Sequence, residues 1–155
     1  PQVDATVAFT EWQLVGGGAS GDVYSAFDLQ GRKVAIKVIL VDDAVALSEA
    51  LIELRALRKL EHPNVVALVG GYRSTDTPFK ALLVTNFLAG GKFSNLLLSG
   101  ALKGANVALA CRDVLRGTAY VHAQGLLHCD IKPSNIMYDS NEQCLKLVDF
   151  GACLP

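Results

Sequence analysis

The sequence predicts an α+β fold. β-branched and alternating apolar runs fill the first third, and one long amphipathic helix follows them. After two further strands and a Gly-Gly break, the pattern turns mostly helical. At 155 residues the chain is long enough for one domain with a sizeable core.

The stretches EWQLVG and DVYSAFD are half-buried strand patterns, joined by the glycine cluster Gly16 to Gly21. The turn Gln30-Gly31-Arg32 leads into KVAIKVIL, a third strand. A helix is predicted from about Asp43 to Leu60, because Leu47, Leu51, Leu54, Leu57 and Leu60 recur at three- and four-residue spacing. His62-Pro63 ends it. NVVALVGGY and FKALLVTNF read as two more strands around the turn-rich RSTDTP. A second helix is predicted from about Lys103 to His122, with Leu109, Val114, Leu115 and Tyr120 among its apolar positions. The tail IMYDSNEQCLKLV is a strand, a turn and a strand, and a lobe boundary is expected near Ala89 to Gly91.

Composition narrows the function. Hydrophobic content of 51% with 19% charged residues reads as globular. A net charge of −1 gives no footprint for nucleic acid or an anionic membrane. No apolar run approaches the ~18 residues of a membrane helix, and the N-terminal stretch lacks the basic and apolar regions of a signal peptide. The four cysteines form no C-x-x-C pair and the three histidines are not spaced as metal ligands. Reduced, partly buried thiols in a cytoplasmic protein are expected.

Four motifs carry chemistry. Gly16-x-Gly18-x-x-Gly21-x-Val23 serves both dinucleotide folds and phosphate-covering flaps, and glycine clusters also make ordinary hairpins. A dinucleotide site needs a helix directly after the glycines; a strand pattern follows here, which argues for the flap. Val34-Ala35-Ile36-Lys37 sets a lysine in an apolar strand. It either meets an anion or lies on an edge strand facing solvent. Glu53, on the following helix, could reach back to it, with Glu49 one turn earlier as the rival.

In LLHCDIKPSNIM, Asp130 would accept or orient the proton of a hydroxyl nucleophile. Lys132 would neutralise charge on a transferring phosphoryl group, and Asn135 would hold a metal ion through its amide oxygen. Fourteen residues past Asn135 stands Asp149-Phe150-Gly151, where Asp149 offers a hard oxygen ligand suited to Mg²⁺.

With these motifs in this order the chain resembles the eukaryotic protein kinase family, from the glycine-rich loop to D-F-G. The glutamate nine residues before H-P-N (His62 to Asn64) adds to the match. The resemblance implies a two-lobe kinase fold, a small lobe over about 1–89 and the start of a large lobe over about 90–155. It implies ATP and Mg²⁺ as cofactors, a protein substrate, and no nucleic-acid or membrane contact from this segment.

By the same resemblance Thr85 looks like the gatekeeper, and Asn86 to Leu88 like the hinge whose backbone binds adenine. Val15, Val23, Ala35 and Met137 look like the apolar faces on the base. Leu57, Leu68, His128 and Phe150 look like a stacked regulatory column. Asp130-Ile131-Lys132-Pro133 is similar to serine/threonine kinases.

Two departures matter. Most of the family has Arg where Cys129 stands, and that Arg pairs with a phosphorylated activation-loop residue. A neutral thiol cannot make that pairing. The loop is therefore similar to those of non-RD kinases of the plant receptor type, with Cys129 a small filler. The chain also stops four residues after Gly151, before any activation segment or A-P-E motif. A fragment is expected, with apolar surface exposed around Leu109 to Tyr120.

The leading expectation is a serine/threonine kinase. The alternative is an ATP-binding pseudokinase or scaffold, and thermal stabilisation by Mg·ATP bears on both. A nicotinamide-dependent oxidoreductase fails on the strand that follows the glycines.

Overall fold

Apolar alternation and turn chemistry set most element boundaries in the computed structural model, which describes residues 4–18, 21–75, 77–100 and 105–155. A short helix α1 (Ala5–Ala8) precedes strands β1 (Phe9–Gly18), β2 (Gly21–Asp28) and β3 (Lys33–Leu40). Asp28 closes the β2–β3 turn, its Oδ1 accepting from the amides of Gln30 and Arg32, both at 2.9 Å. Helix α2 (Ala44–Lys59) begins where Asp43 Oδ1 accepts the Ala46 amide at 2.8 Å.

Strands β4 (Leu68–Arg73) and β5 (Lys80–Asn86) follow, then helices α3 (Phe93–Leu98) and α4 (Ala105–Ala123). A 3₁₀ turn over Pro133–Asn135 and strands β6 (Ile136–Asp139) and β7 (Cys144–Leu147) complete the chain. The predicted helix start at Lys103, Asp76 of the turn-rich stretch, and Ala19 and Ser20 of the glycine loop lie outside the described residues.

The chain divides into two compact units. The first runs to Leu54 and resumes over Leu68–Phe87. It holds an antiparallel sheet in the order β1-β2-β3-β5-β4. On one face Phe9, Ala26, Val34, Ile36, Leu82 and Val84 are buried, with Trp12 and Tyr72 packed on them. On the other, Ile39 and Leu83 pack with Ala50 of α2, joined by Leu54. Each Val, Leu, Ile or Phe among them contributes about 1.5–3 kcal/mol when fully buried.

The second unit comprises Arg55–Ala67 and the chain from Leu88 onward. Helix α4 packs on β7 through Ala110, Asp113, Gly117 and Val121, the buried positions of one face. This corrects the apolar positions expected for that helix. Leu109 and Leu115 are exposed, and Val114 and Tyr120 are half-buried. The helix turns a small face inward because it runs close to Asn64, whose carbonyl oxygen would lie 2.6 Å from a Cβ at Gly117.

Another correction concerns a boundary. The sequence pattern extends the fourth strand back to Asn64, whereas β4 begins at Leu68. Asn64 to Val66 instead commit their bonds to the β7 side. Asn64 Nδ2 donates to the Leu145 carbonyl at 2.9 Å, and the Asn64 carbonyl accepts from the Leu147 amide at 3.0 Å. Val66 donates to the Leu147 carbonyl at 3.0 Å. Helix α3 goes unread in the sequence because it buries no residue and its N-cap, Lys92, makes no side-chain bond. The break at Gly90-Gly91 is a pairing site, since Gly90 donates to Tyr138 and Tyr138 to Gly91.

Candidate active site

Each unit carries its own set of the predicted residues. In the first, Gly16 and Gly18 end β1 and Gly21 opens β2. Gly21 has φ +118°, and a Cβ there would lie 2.5 Å from the Val38 carbonyl oxygen, so only glycine fits. The element after the glycines is a strand, as expected of a flap.

Strand β3 lies between β2 and β5, which settles the position of Lys37: it is not on an edge. Its Nζ donates to Glu53 Oε2 at 2.7 Å, with the two side chains 12% and 5% exposed. Glu49, the rival, is exposed. The sheet register places Val23 opposite Lys37, and Ala35 opposite Thr85. Val15 is exposed, Val23, Ala35 and Thr85 are half-buried, and Asn86 ends β5 exposed.

Leu88 and Met137 belong to the second unit. Leu88 is buried, and Met137 is half-buried on β6 opposite Lys146. Of the column, Leu57, His128 and Phe150 are buried and Leu68 is half-buried at the start of β4. The His128 and Phe150 rings meet at 4.6 Å.

The loop around Asp130 is knitted by its own side chains. Asp130 Oδ2 accepts from Lys132 Nζ at 2.7 Å and from Asn135 Nδ2 at 2.8 Å, and Asn135 Nδ2 also meets the Asp130 carbonyl at 3.1 Å. The bond from Lys132 holds the Asp130 carboxyl below its ordinary value of 3.8; burial opposes this, while the lysine charge and the Asn135 bond add to it. Asp130 is a carboxylate at neutral pH, an acceptor only. Among the described residues no hydrogen bond falls on its Oδ1.

The fully buried His128 ties this loop to the D-F-G segment. The Asp130 amide can only donate, so at 3.3 Å from His128 Nδ1 it makes that nitrogen the acceptor. Nε2 then carries the proton and donates to the Val148 carbonyl at 3.0 Å. The Val148 amide donates to the Asn135 carbonyl at 3.1 Å. The residue before Asp149 is thus bonded to His128 on one side and to Asn135 on the other. Cys129 and Asp149 both have left-handed backbone, at φ +62° and +61°. Cys129 is exposed, its thiol 3.5 Å from the Leu127 carbonyl.

Sequence reasoning passed over a buried polar cluster that anchors β7. Asp113 Oδ2 accepts the Leu145 amide at 3.1 Å. Lys146, 6% exposed, donates to the Pro63 carbonyl and to Glu142 Oε2, both at 2.8 Å. The signal for Asp113 was a carboxylate in line with Ala110, Gly117 and Val121 at helical spacing.

Donor chemistry at Asn135 and Asp149 fits a magnesium ion. Asn135 uses its amide nitrogen on Asp130, which turns its amide oxygen away as a hard donor. Among the described residues no three His, Cys, Asp or Glu gather as a metal site. One carboxylate and one amide oxygen suit Mg²⁺, which takes its remaining ligands from phosphates and water.

A family model described as the protein kinase domain matches residues 9–154. Mitogen-activated protein kinase 4 of Homo sapiens is 36% identical over 152 residues, covering 92% of this chain and 26% of that protein. Mitogen-activated protein kinase kinase kinase 2 of Arabidopsis thaliana is 34% identical, covering 97% of this chain and 24% of its own length. Mitogen-activated protein kinase kinase kinase ANP1 of the same plant is 35% identical, covering 94% of this chain and 23% of its own length. The chain belongs to the protein kinase family and has its α+β fold. It spans about a quarter of the length of these curated relatives. Among the described residues no helix is long and apolar enough to cross a membrane.

Proposed function

We propose that this chain is the ATP-handling portion of a serine/threonine protein kinase that moves the γ-phosphoryl of ATP to a protein hydroxyl. The observation that carries the reading is the Asp130 carboxylate. Lys132 and Asn135 both bond Oδ2, which leaves Oδ1 to accept a proton from a substrate hydroxyl. Lys132, bound to that carboxylate, carries the positive charge that would face the migrating phosphoryl group.

Lys37, oriented by Glu53, would hold phosphates, with Gly16, Gly18 and Gly21 covering them. Val15, Val23, Ala35, Thr85, Asn86, Leu88 and Met137 would receive the adenine. Asn135 and Asp149 would hold the metal, which when bound supplies charge neutralisation on the phosphate oxygens. In this reading the small lobe runs through about residue 89 and the large lobe starts at about 90. The substrate is a protein Ser or Thr, and the location cytoplasmic, either as a free protein or as the cytoplasmic part of a larger, membrane-anchored one.

The test is Asp130→Asn in the complete protein. Transfer should fall by on the order of 10²–10⁴ in kcat, with ATP binding by calorimetry retained. Unchanged kcat would sink the assignment.

A further inference from the structure

The face of the sheet that receives α2 has a gap in β4. In cross-strand register Lys37 lies opposite Leu83, and Leu83 opposite Gly71. Directly opposed residues point to the same face, so the three form one row. Lys37 ends in its bond to Glu53. Leu83 packs with Ile39 and Ala50, and with Leu54 of α2. At Gly71 the row has no side chain.

Leu54 fills that space. A Cβ on Gly71 would lie 2.6 Å from Leu54 Cδ1, 3.1 Å from Cδ2 and 3.4 Å from Cγ. The whole isopropyl group sits in the way, not only one rotatable tip. Gly71 is absent from the positive-φ glycines, so its backbone is one that other residues adopt. The neighbouring helix, and not the strand, requires glycine here. Glycine weakens a strand interior, and its presence marks a close approach of another element.

Leu54 directly follows Glu53, about 100° round the helix axis. Seating Leu54 against Gly71 fixes both the rotation and the stand-off of that turn of α2. Those two quantities decide whether Glu53 Oε2 comes within hydrogen-bond distance of Lys37. We propose that Gly71 is a positioning residue for the Lys37–Glu53 ion pair, its missing side chain forming the notch in which Leu54 locks the helix. The catalytic meaning rests on the kinase reading above; the geometry does not.

The test reads Lys37 directly. In the complete protein, each lysine is labelled with an amine-reactive ester and quantified by peptide mass spectrometry. An ammonium held by a carboxylate is rarely deprotonated and reacts slowly. Glu53→Gln sets the fast rate expected when the pair is lost. Gly71→Val should label Lys37 near that fast rate, and Gly71→Ala at a rate between it and the native one. Adding Leu54→Ala to either should return labelling toward the native rate, because the truncated side chain makes room. If Gly71→Val does not fold, the Gly71→Ala comparison with and without Leu54→Ala decides.

Native labelling in a folded Gly71 variant overturns the proposal, as does failure of Leu54→Ala to reverse the effect. Steady-state kinetics separate the two readings. KM for ATP should rise in step with Lys37 labelling while kcat falls less. Labelling that moves without any change in KM leaves Gly71 as the positioning residue and removes the pair from phosphate binding.

Discussion

Asn135 donates to Asp130 Oδ2 at 2.8 Å, so the proposed metal ligand is also a hydrogen-bond donor to the proposed proton acceptor. Replacing the amide by a carboxylate reverses that relationship. In Asn135→Asp a second negative charge faces Asp130 and favours its protonated form, which raises its pKa. The native carboxyl titrates below 3.8, so activity that needs the carboxylate is lost only as pH falls through a lower value. In Asn135→Asp the acid limb of kcat against pH should move upward, and Lys132→Met should move it the same way by removing the largest cause of the depression. An acid limb at the same pH in both variants would remove Asp130 from the rate-determining protonic state.

His62 makes stability pH-dependent. It stacks on Tyr120 at 4.7 Å, and its Nδ1 accepts the Asn64 amide at 3.0 Å. Burial holds its pKa below 6.5, and the charges of Arg116 and Lys146 push it further down. The unfolded chain therefore takes up the proton first as pH falls below about 6.5, and the native state loses stability until its own lower pKa is passed. Thermal unfolding midpoints should drop between pH 7 and pH 5 in the native protein. The drop should be smaller in His62→Gln, which cannot be protonated. Parallel curves for the two proteins would place the effect elsewhere.

Cys129 should tolerate change. Its thiol is exposed and its backbone is left-handed, a conformation that costs an L-residue roughly 1–2 kcal/mol. Cys129→Gly relieves that cost but adds about 0.4–1 kcal/mol of unfolded-chain entropy, so stability should change little. Turnover should survive Cys129→Gly, Cys129→Ser and alkylation of the native thiol. Reversible inactivation by peroxide that disappears in Cys129→Ser would instead make this thiol a redox sensor.

Local signals carried much of the fold. The β-branched run of β3, the leucine spacing of α2 and the Gln30-Gly31-Arg32 turn are properties of a few neighbouring residues, and all three elements stand where the pattern puts them. What escaped depends on partners far along the chain. Asn64 reads as a strand residue until Leu145 and Leu147 are seen to use both ends of it. The buried face of α4 reads as the leucine face until Gly117 is seen against Asn64. The same holds at the candidate site. Asp130 and Asn135 are five residues apart and legible together, whereas the choice of Glu53 over Glu49 needed the rotation of α2 about its axis.

The single ring of His128 joins the Asp130 amide to the Val148 carbonyl, and it does so in one tautomer only. The link is thus a latch with no intermediate setting. If the peptide after Val148 turns away, the Nε2–H of this buried ring loses its acceptor, and the ring must shift. The Asp130 amide then loses its partner in the same event. Hydrogen exchange at that one amide, on an otherwise exposed loop, is consequently a gauge of what the D-F-G backbone is doing some twenty residues away.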